Sequence, residues 1–282
     1  MIEVVDVGRV FGDVVAVDQM SFRVDAGEVV GLLGANGAGK TTTMRMILGL
    51  LRPTSGKVEL AGRPAAEVDR RLIGYVPQSL GLYRDLTVSE NLSFASAAYG
   101  APLPALDRAG LGDIGDRRVG ELSLGLRRRV AFLAALSHDP EVLILDEPTS
   151  GVGTLGRSRL WESIHTAADE GASVLVSTHH MEEAEECDRV VLMADGREVV
   201  SGVVSEIVSG FSSVLLEGEV GDDRLREVRA RGGRVLVDRS GWRVVGLGPG
   251  EVGEVVGPSV TITRVPATFE EVFVALSREP AG

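Results

Sequence analysis

Residues 29–42 read Val29-Val30-Gly31-Leu32-Leu33-Gly34-Ala35-Asn36-Gly37-Ala38-Gly39-Lys40-Thr41-Thr42. A strand-sized apolar run leads into a glycine-rich turn, and a helical pattern over residues 41–51 follows. Residues 34–41 fit G-x-x-x-x-G-K-[ST], with the strand before and the helix after that a phosphate-binding loop requires. Gly34, Gly37 and Gly39 let the main chain turn its amides toward an anion, and the opening turn of the helix adds the positive end of its dipole. Asn36, Ala38 and Thr42 complete the cradle. Lys40 would reach the terminal phosphates of a nucleotide, and the Thr41 hydroxyl would coordinate Mg2+. The loop by itself fits a kinase, a GTPase or a motor ATPase equally well.

Further along, Glu141-Val142-Leu143-Ile144-Leu145-Asp146-Glu147 is a buried-type strand that ends in two carboxylates. Asp146 is expected to hold a magnesium shell through water, and Glu147 to polarise an attacking water as general base. Ser177-Thr178-His179 closes another apolar run, so the His179 imidazole is expected at the same sheet edge, bonded to the γ-phosphate and holding the water in line. His180 is expected to point elsewhere.

Around these motifs, apolar runs at 29–33, 72–76, 142–145, 173–177 and 190–193 alternate with amphipathic stretches, which predicts an α/β sheet covered by helices. Ligands of such sheets collect at the C-terminal ends of the strands. Residues 82–139 contain helical runs at 88–99 and 124–137 and no strong strand, the pattern of a helical subdomain inserted into the sheet domain. From residue 211 the texture changes to short valine-rich strands broken by Gly-rich turns. The expected organisation is an α/β domain over 1–210 and a small α+β domain over 211–282. Its last helix opens on the capping box Thr268 and Glu271, with Phe269, Val272, Phe273 and Leu276 on one face.

The 282 residues carry a formal net charge of −12. Nucleic acids and anionic membrane surfaces recruit basic patches, so neither is an expected partner. The apolar runs are far shorter than the roughly 18 to 20 residues of a spanning helix. The start Met1-Ile2-Glu3-Val4 has no basic region followed by an apolar segment, which predicts a cytoplasmic location. Cys187, the only cysteine, excludes an internal disulfide and is expected to be a packing residue.

Taken in order, the motifs resemble the nucleotide-binding domain of ATP-binding cassette (ABC) transporters over essentially the whole chain. The resemblance implies a phosphate-loop NTPase fold of the ABC type with its helical subdomain, and ATP and Mg2+ as ligands. It places Phe11 of Val10-Phe11-Gly12 where an aromatic ring stacks on adenine. It makes Gln78 of Tyr75-Val76-Pro77-Gln78 the glutamine that touches the magnesium ion and the water and reports nucleotide state to a membrane subunit. The stretch 79–90, with Leu82, Tyr83 and Leu86, then helps form the groove that receives that subunit. Leu122-Ser123-Leu124-Gly125-Leu126, followed by Arg127-Arg128-Arg129, stands where the family has its LSGGQ signature. Ser123 and Gly125 would clamp the γ-phosphate held on a second ATPase subunit.

Three positions depart from the family pattern: Leu124 replaces the first signature glycine, Leu126 the usual polar residue, and Gly153 the aspartate that ends the following loop. The region 100–121 also looks shortened. The phrase at 86–92, the arginines after Gly125 and Thr268-Phe269-Glu270-Glu271-Val272-Phe273 are closest to the ATPases of daunorubicin-resistance-type exporters. The resemblance therefore implies an ATP-hydrolysing motor subunit of an exporter of drug-like or amphipathic compounds. It would be peripheral to the cytoplasmic face of the membrane through separate transmembrane permease subunits and would work as a homodimer or heterodimer. The departures leave a second expectation, a catalytically degenerate regulatory subunit. A soluble ABC-type ATPase acting on DNA or ribosomes fits the single cassette and the acidic balance poorly.

Overall fold

The computed structural model describes residues 1–107, 110–238 and 241–276. Its chain divides into two compact units, Met1–Glu198 and Val199–Gly282. The first begins with β1 (Ile2–Phe11), β2 (Val14–Val24), β3 (Val29–Leu33), α1 (Lys40–Ile47), β4 (Ser55–Leu60), β5 (Arg63–Pro64) and β6 (Ile73–Val76). It continues with α2 (Val88–Tyr99), α3 (Leu124–Leu136), β7 (Val142–Asp146), α4 (Thr154–Asp169), β8 (Ser173–Thr178) and β9 (Arg189–Ala194); β10 (Arg197–Gly202) spans the division.

One sheet has the order β10-β9-β3-β8-β7-β6 and a second the order β2-β1-β4-β5. β3, β7 and β8 are buried at every position and pair in parallel, which is why they read as unbroken apolar runs rather than as alternating ones. One face of this sheet, carrying Val30, Leu32, Ile144 and Leu175, shares a core with Met44 and Ile47 of α1 and with Ile2, Met20 and Phe22 of the antiparallel sheet. Each such side chain contributes roughly 1.5–3 kcal/mol by leaving water. α4 is buried through Leu160, Trp161 and Ile164.

Two expected boundaries move for local reasons. The strand expected from residue 72 starts at Ile73, because Asp69 caps a 3₁₀ turn over Arg70–Leu72 by accepting from the Arg71 amide. The helix expected over 41–51 ends at Ile47. Gly49 follows in the left-handed conformation, with φ 65°, and a Cβ there would meet the Ala65 carbonyl oxygen at 2.6 Å. The insertion between β6 and β7 holds α2 and α3 around Val88, Leu92, Leu111, Val119, Leu122 and Val130. Among its described residues the stretch 100–121 forms the 3₁₀ turns Gly112–Ile114 and Val119–Glu121 and a single bridge from Arg118 to Thr87.

The second unit contains α5 (Val204–Ser209), β11 (Ser213–Glu217), α6 (Asp222–Ala230), β12 (Arg234–Asp238), β13 (Gly241–Val245), α7 (Pro249–Val256), β14 (Thr261–Val265) and α8 (Phe269–Leu276). Its antiparallel sheet, of order β12-β13-β11-β14, packs Val214, Leu216 and Val244 against Val228 of α6 and Val252 and Val256 of α7. The α8 capping box forms as expected: the Thr268 amide donates to Glu271 and the Glu271 amide to Thr268 Oγ1. Phe269 and Val272 are buried, whereas Phe273 and Leu276 are half-buried. Residues 277–282 of the expected second domain lie outside the described residues.

Cys187 is buried, with its Sγ only 2.8 Å from where a Cβ on Gly31 would stand. Burial first, and then the carboxylates of Glu183, Asp188 and Glu186, push its thiol well above the ordinary range. Only the thiolate reacts. Native protein at pH 8 should therefore fail to label with a thiol reagent on a timescale of minutes, while denatured protein labels at once; rapid native labelling would contradict this packing.

Candidate functional site

The phosphate loop is held open by its glycines. Gly34 has φ 152° and Gly39 φ 105°. A Cβ would meet the Met193 carbonyl oxygen at 2.4 Å in the first case and the Ala16 carbonyl oxygen at 2.6 Å in the second. Only glycine tolerates both the conformation and the approach. Gly39 is the residue before α1, so the loop delivers its amides to the start of that helix. Lys40 is 5% exposed, and its Nζ donates to the carbonyl oxygens of Gly34 at 2.6 Å and Ala35 at 3.1 Å. An ammonium has three donors, so one remains for a ligand. Burial lowers the Lys40 pKa, against the pull of Glu147 and then Asp146, which raises it.

Those carboxylates end β7. The register Asp146↔Ser177 sets Ser177 Oγ 2.6 Å from Asp146 Oδ1, to which it donates. The Glu147 amide donates to both the carbonyl oxygen and the Oγ of Ser177, each at 3.1 Å. Glu147 is 8% exposed and has φ 51°, a left-handed conformation that is uncommon for any residue but glycine. Its Oε2 accepts from Gln78 Nε2 at 3.2 Å, and its Oε1 lies 3.1 Å from His179 Nδ1. Gln78, which follows β6, and His179, which follows β8, thus grip one carboxylate from two sides. The His180 ring stands 4.2 Å from that of His179, and the His180 amide donates to Thr178 Oγ1.

A cavity of about 650 Å³ opens on these groups, lined by Val14–Ala16, Asn36, Gly37, Gly39, Lys40, Thr41, Thr42, Gln78, Glu147 and Asp195–Gly196. Asp146 and Ala38 are buried and are not among its lining residues. Phe11 is not brought to the cavity: it pairs with Val14 across the β1–β2 hairpin, and Arg9 Cζ sits 4.5 Å from its ring centroid. Exposed Val14 and Val15 form the apolar wall instead, because the hairpin turns back between Phe11 and Val14. Ser123 and Gly125 do not line this cavity either. Ser123 caps α3 by accepting from the Leu126 amide at 3.4 Å, and Gly125 lies against Val152.

The donor set suits magnesium. Thr41 and Gln78 offer oxygens on the cavity wall, with Gln78 Oε1 free of the Glu147 bond, and the buried Asp146 carboxylate precedes Glu147 in the chain. The described residues contain no cluster of three or more histidine, cysteine or acidic side chains suited to a metal. Mg2+ needs no such cage, since it keeps waters and uses one or two carboxylates together with phosphates.

Two participants have no counterpart among the motif readings. Ser177 joins the two carboxylate residues, and Arg128 of α3 donates from Nη1 to the Glu147 carbonyl oxygen at 2.6 Å. The signal for Arg128 was its place on the helical stripe 124, 128, 131 and 135, whose last two members are buried alanines. No sequence signal marked Ser177 apart from its place at the end of a buried strand.

A parallel sheet with a phosphate loop after β3 and paired acids at the end of β7 defines a phosphate-loop nucleotide hydrolase. Residues 17–150 match the family described as "ABC transporter". The "Nod factor export ATP-binding protein I" of Burkholderia lata is 42% identical over 230 residues, covering 77% of this chain and 73% of that protein. The "Probable multidrug ABC transporter ATP-binding protein YbhF" of Escherichia coli is 41% identical over 218 residues, covering 73% of this chain and 38% of that protein. Among solved structures, an "ATP binding subunit of ABC transporter" superposes with a TM-score of 0.68 at 31% identity, over 74% of this chain and 92% of that one. The cbiO1 subunit of the Clostridium perfringens cbiONQ transporter does so with a TM-score of 0.65 at 27% identity, over 82% and 94%. The chain belongs to the ABC transporter ATP-binding proteins and is an ATP-binding, ATP-hydrolysing subunit of such a transporter.

Replacing Ser177 by Ala would strip a buried acceptor from the Glu147 amide and a donor from Asp146. The loss should be about 1–3 kcal/mol of unfolding free energy, read from the denaturant midpoint, and ATP turnover should fall more than ATP affinity does.

Proposed function

We propose that this chain is the motor of an exporter for amphipathic or drug-like compounds, closing on ATP as a dimer and hydrolysing it with Glu147 as general base. The observation that carries this is the grip of Gln78 and His179 on the Glu147 carboxylate at the wall of the cavity that holds the phosphate loop. In this reading the loop amides and Lys40 bind the β- and γ-phosphates, and the adenine rests against Val14 and Val15. Thr41, Gln78 and Asp146 would hold Mg2+, which would neutralise charge developing on the phosphate oxygens. Glu147 takes the proton of the attacking water, and the imidazole of His179 fixes the carboxylate and the γ-phosphate in line.

Ser123 and Gly125, remote from this cavity, serve the nucleotide of a second ATPase subunit. Permease docking falls to the groove between β6 and α2, lined by Tyr75, Leu82, Tyr83, Phe94 and Tyr99. There Tyr83 and Phe94, 52% and 55% exposed, meet edge to face at 5.2 Å. Exposed aromatics of this kind mark a protein contact. Among the described residues no helix is long and apolar enough to cross a membrane, so contact with the bilayer falls to the permease, at the cytoplasmic face. The names of the relatives, Nod factor export and multidrug transport, support export as the direction.

Leu124, Leu126 and Gly153 favour one competing reading, a regulatory subunit that binds ATP without turning it over. Glu147→Gln should leave binding of a fluorescent ATP analogue intact and lower phosphate release by at least about 100-fold, in line with loss of general-base catalysis. Native turnover in that variant would overturn the base. A native complex with its permease that binds ATP without hydrolysing it would support the regulatory reading.

A further inference from the structure

Arg128 lies within α3, 5% exposed. Its Nη1 donates to the Glu147 carbonyl oxygen, and its Nε has no hydrogen-bond partner among the described residues. A buried guanidinium with an unused donor is expensive, and an apolar side chain would pack on this stripe without that expense. The charge is balanced only at a distance by Glu147 and Glu183, and Glu183 is itself engaged by Thr149 Oγ1 at 2.5 Å. The residue therefore answers to something other than core stability.

That something is the main chain of Glu147. At φ 51° Glu147 holds a conformation that persists only where its surroundings over-determine it. Ser177 fixes its N–H and Arg128 fixes its C=O. With both flanking peptides pinned, the Cα–Cβ direction is set and the carboxylate stays between Gln78 and His179. Arg128 also lies about 1.4 helical turns after Ser123 at 3.6 residues per turn, on the helix whose first turn carries Gly125.

We infer that Arg128 is a positioning residue for hydrolysis: from α3 it aims the base, so that the helix offered to a second subunit's nucleotide also sets Glu147 in its own cavity. The inference rests on Glu147 being the base. It is tested in the full chain by steady-state ATPase kinetics, fluorescent-nucleotide binding and thermal melting of Arg128→Met, Arg128→Lys and Glu147→Gln.

Arg128→Met should lower kcat by about 100-fold, the scale of a small misplacement of a catalytic group, while ATP affinity and KM stay at native values. Arg128→Lys, which keeps the cation and a donor, should recover part of kcat. Native kcat in folded Arg128→Met, or in folded Arg128→Leu if the methionine variant does not fold, overturns the inference. So does a rise in KM that accounts for the whole loss of kcat/KM. An inactive Glu147→Gln beside a fully active Arg128→Met leaves the base standing and removes only the role of Arg128. An active Glu147→Gln removes both.

Discussion

The register between β3, β8 and β7 is the constraint on which the site depends. Leu33 pairs with Thr178 and Asp146 with Ser177, so Gly34 and His179 leave the sheet at one level and Glu147 one residue before them, at the same edge. A slip of one residue in any of these strands would turn every side chain to the other face. Because both faces are buried, such a slip would exchange the residues facing the two cores. The packing that stabilises the sheet is thus the same packing that places the phosphate loop beside the carboxylates.

Burial has a second effect at that edge. Lys40, Arg128, Asp146 and Glu147 are all nearly withdrawn from water, where a lone charge would be untenable. Each has partners: Lys40 two carbonyl oxygens, Arg128 one, Asp146 the Ser177 hydroxyl, and Glu147 the side chains of Gln78 and His179. Lys40 and Arg128 each feel the Glu147 carboxylate, so buried charges of both signs are fixed close to the cavity wall. Preorganised charge of this kind acts on a transition state without paying for reorganisation.

The features legible in the sequence were those with a local cause. β3, β7 and β8 announced themselves because strands buried on both faces need continuous apolar runs, and the Thr268–Glu271 cap because its chemistry lies within four residues. His179 was legible from its place after an apolar run and Gln78 through a family resemblance, and the sheet explains why they meet at Glu147. Arg128 and Ser177 were not legible as site residues. Each acts through main-chain geometry at a residue distant in sequence, and an arginine in a run of three reads as surface. Phe11 differs in another way: its residue type fits, but the hairpin turn puts Val14 and Val15, not Phe11, on the wall of the cavity.

The departure at Leu124 is matched by a glycine in the loop after β7. Gly151 has φ 73°, and a Cβ there would stand 2.7 Å from Leu124 Cδ2. Leu124 therefore fills the space that a side chain at 151 would need, and the pair forms a matched contact between the first turn of α3 and the loop after β7. Val152 extends the contact, reaching to 3.7 Å of a Cβ on Gly125 and 2.5 Å of one on Gly156. A leucine in place of glycine at 124 thus does not leave the helix start loose; it ties that start to the segment that directly follows Asp146 and Glu147. Apolar packing here joins two segments that bear on the site, and the absence of an aspartate at 153 leaves that join in place.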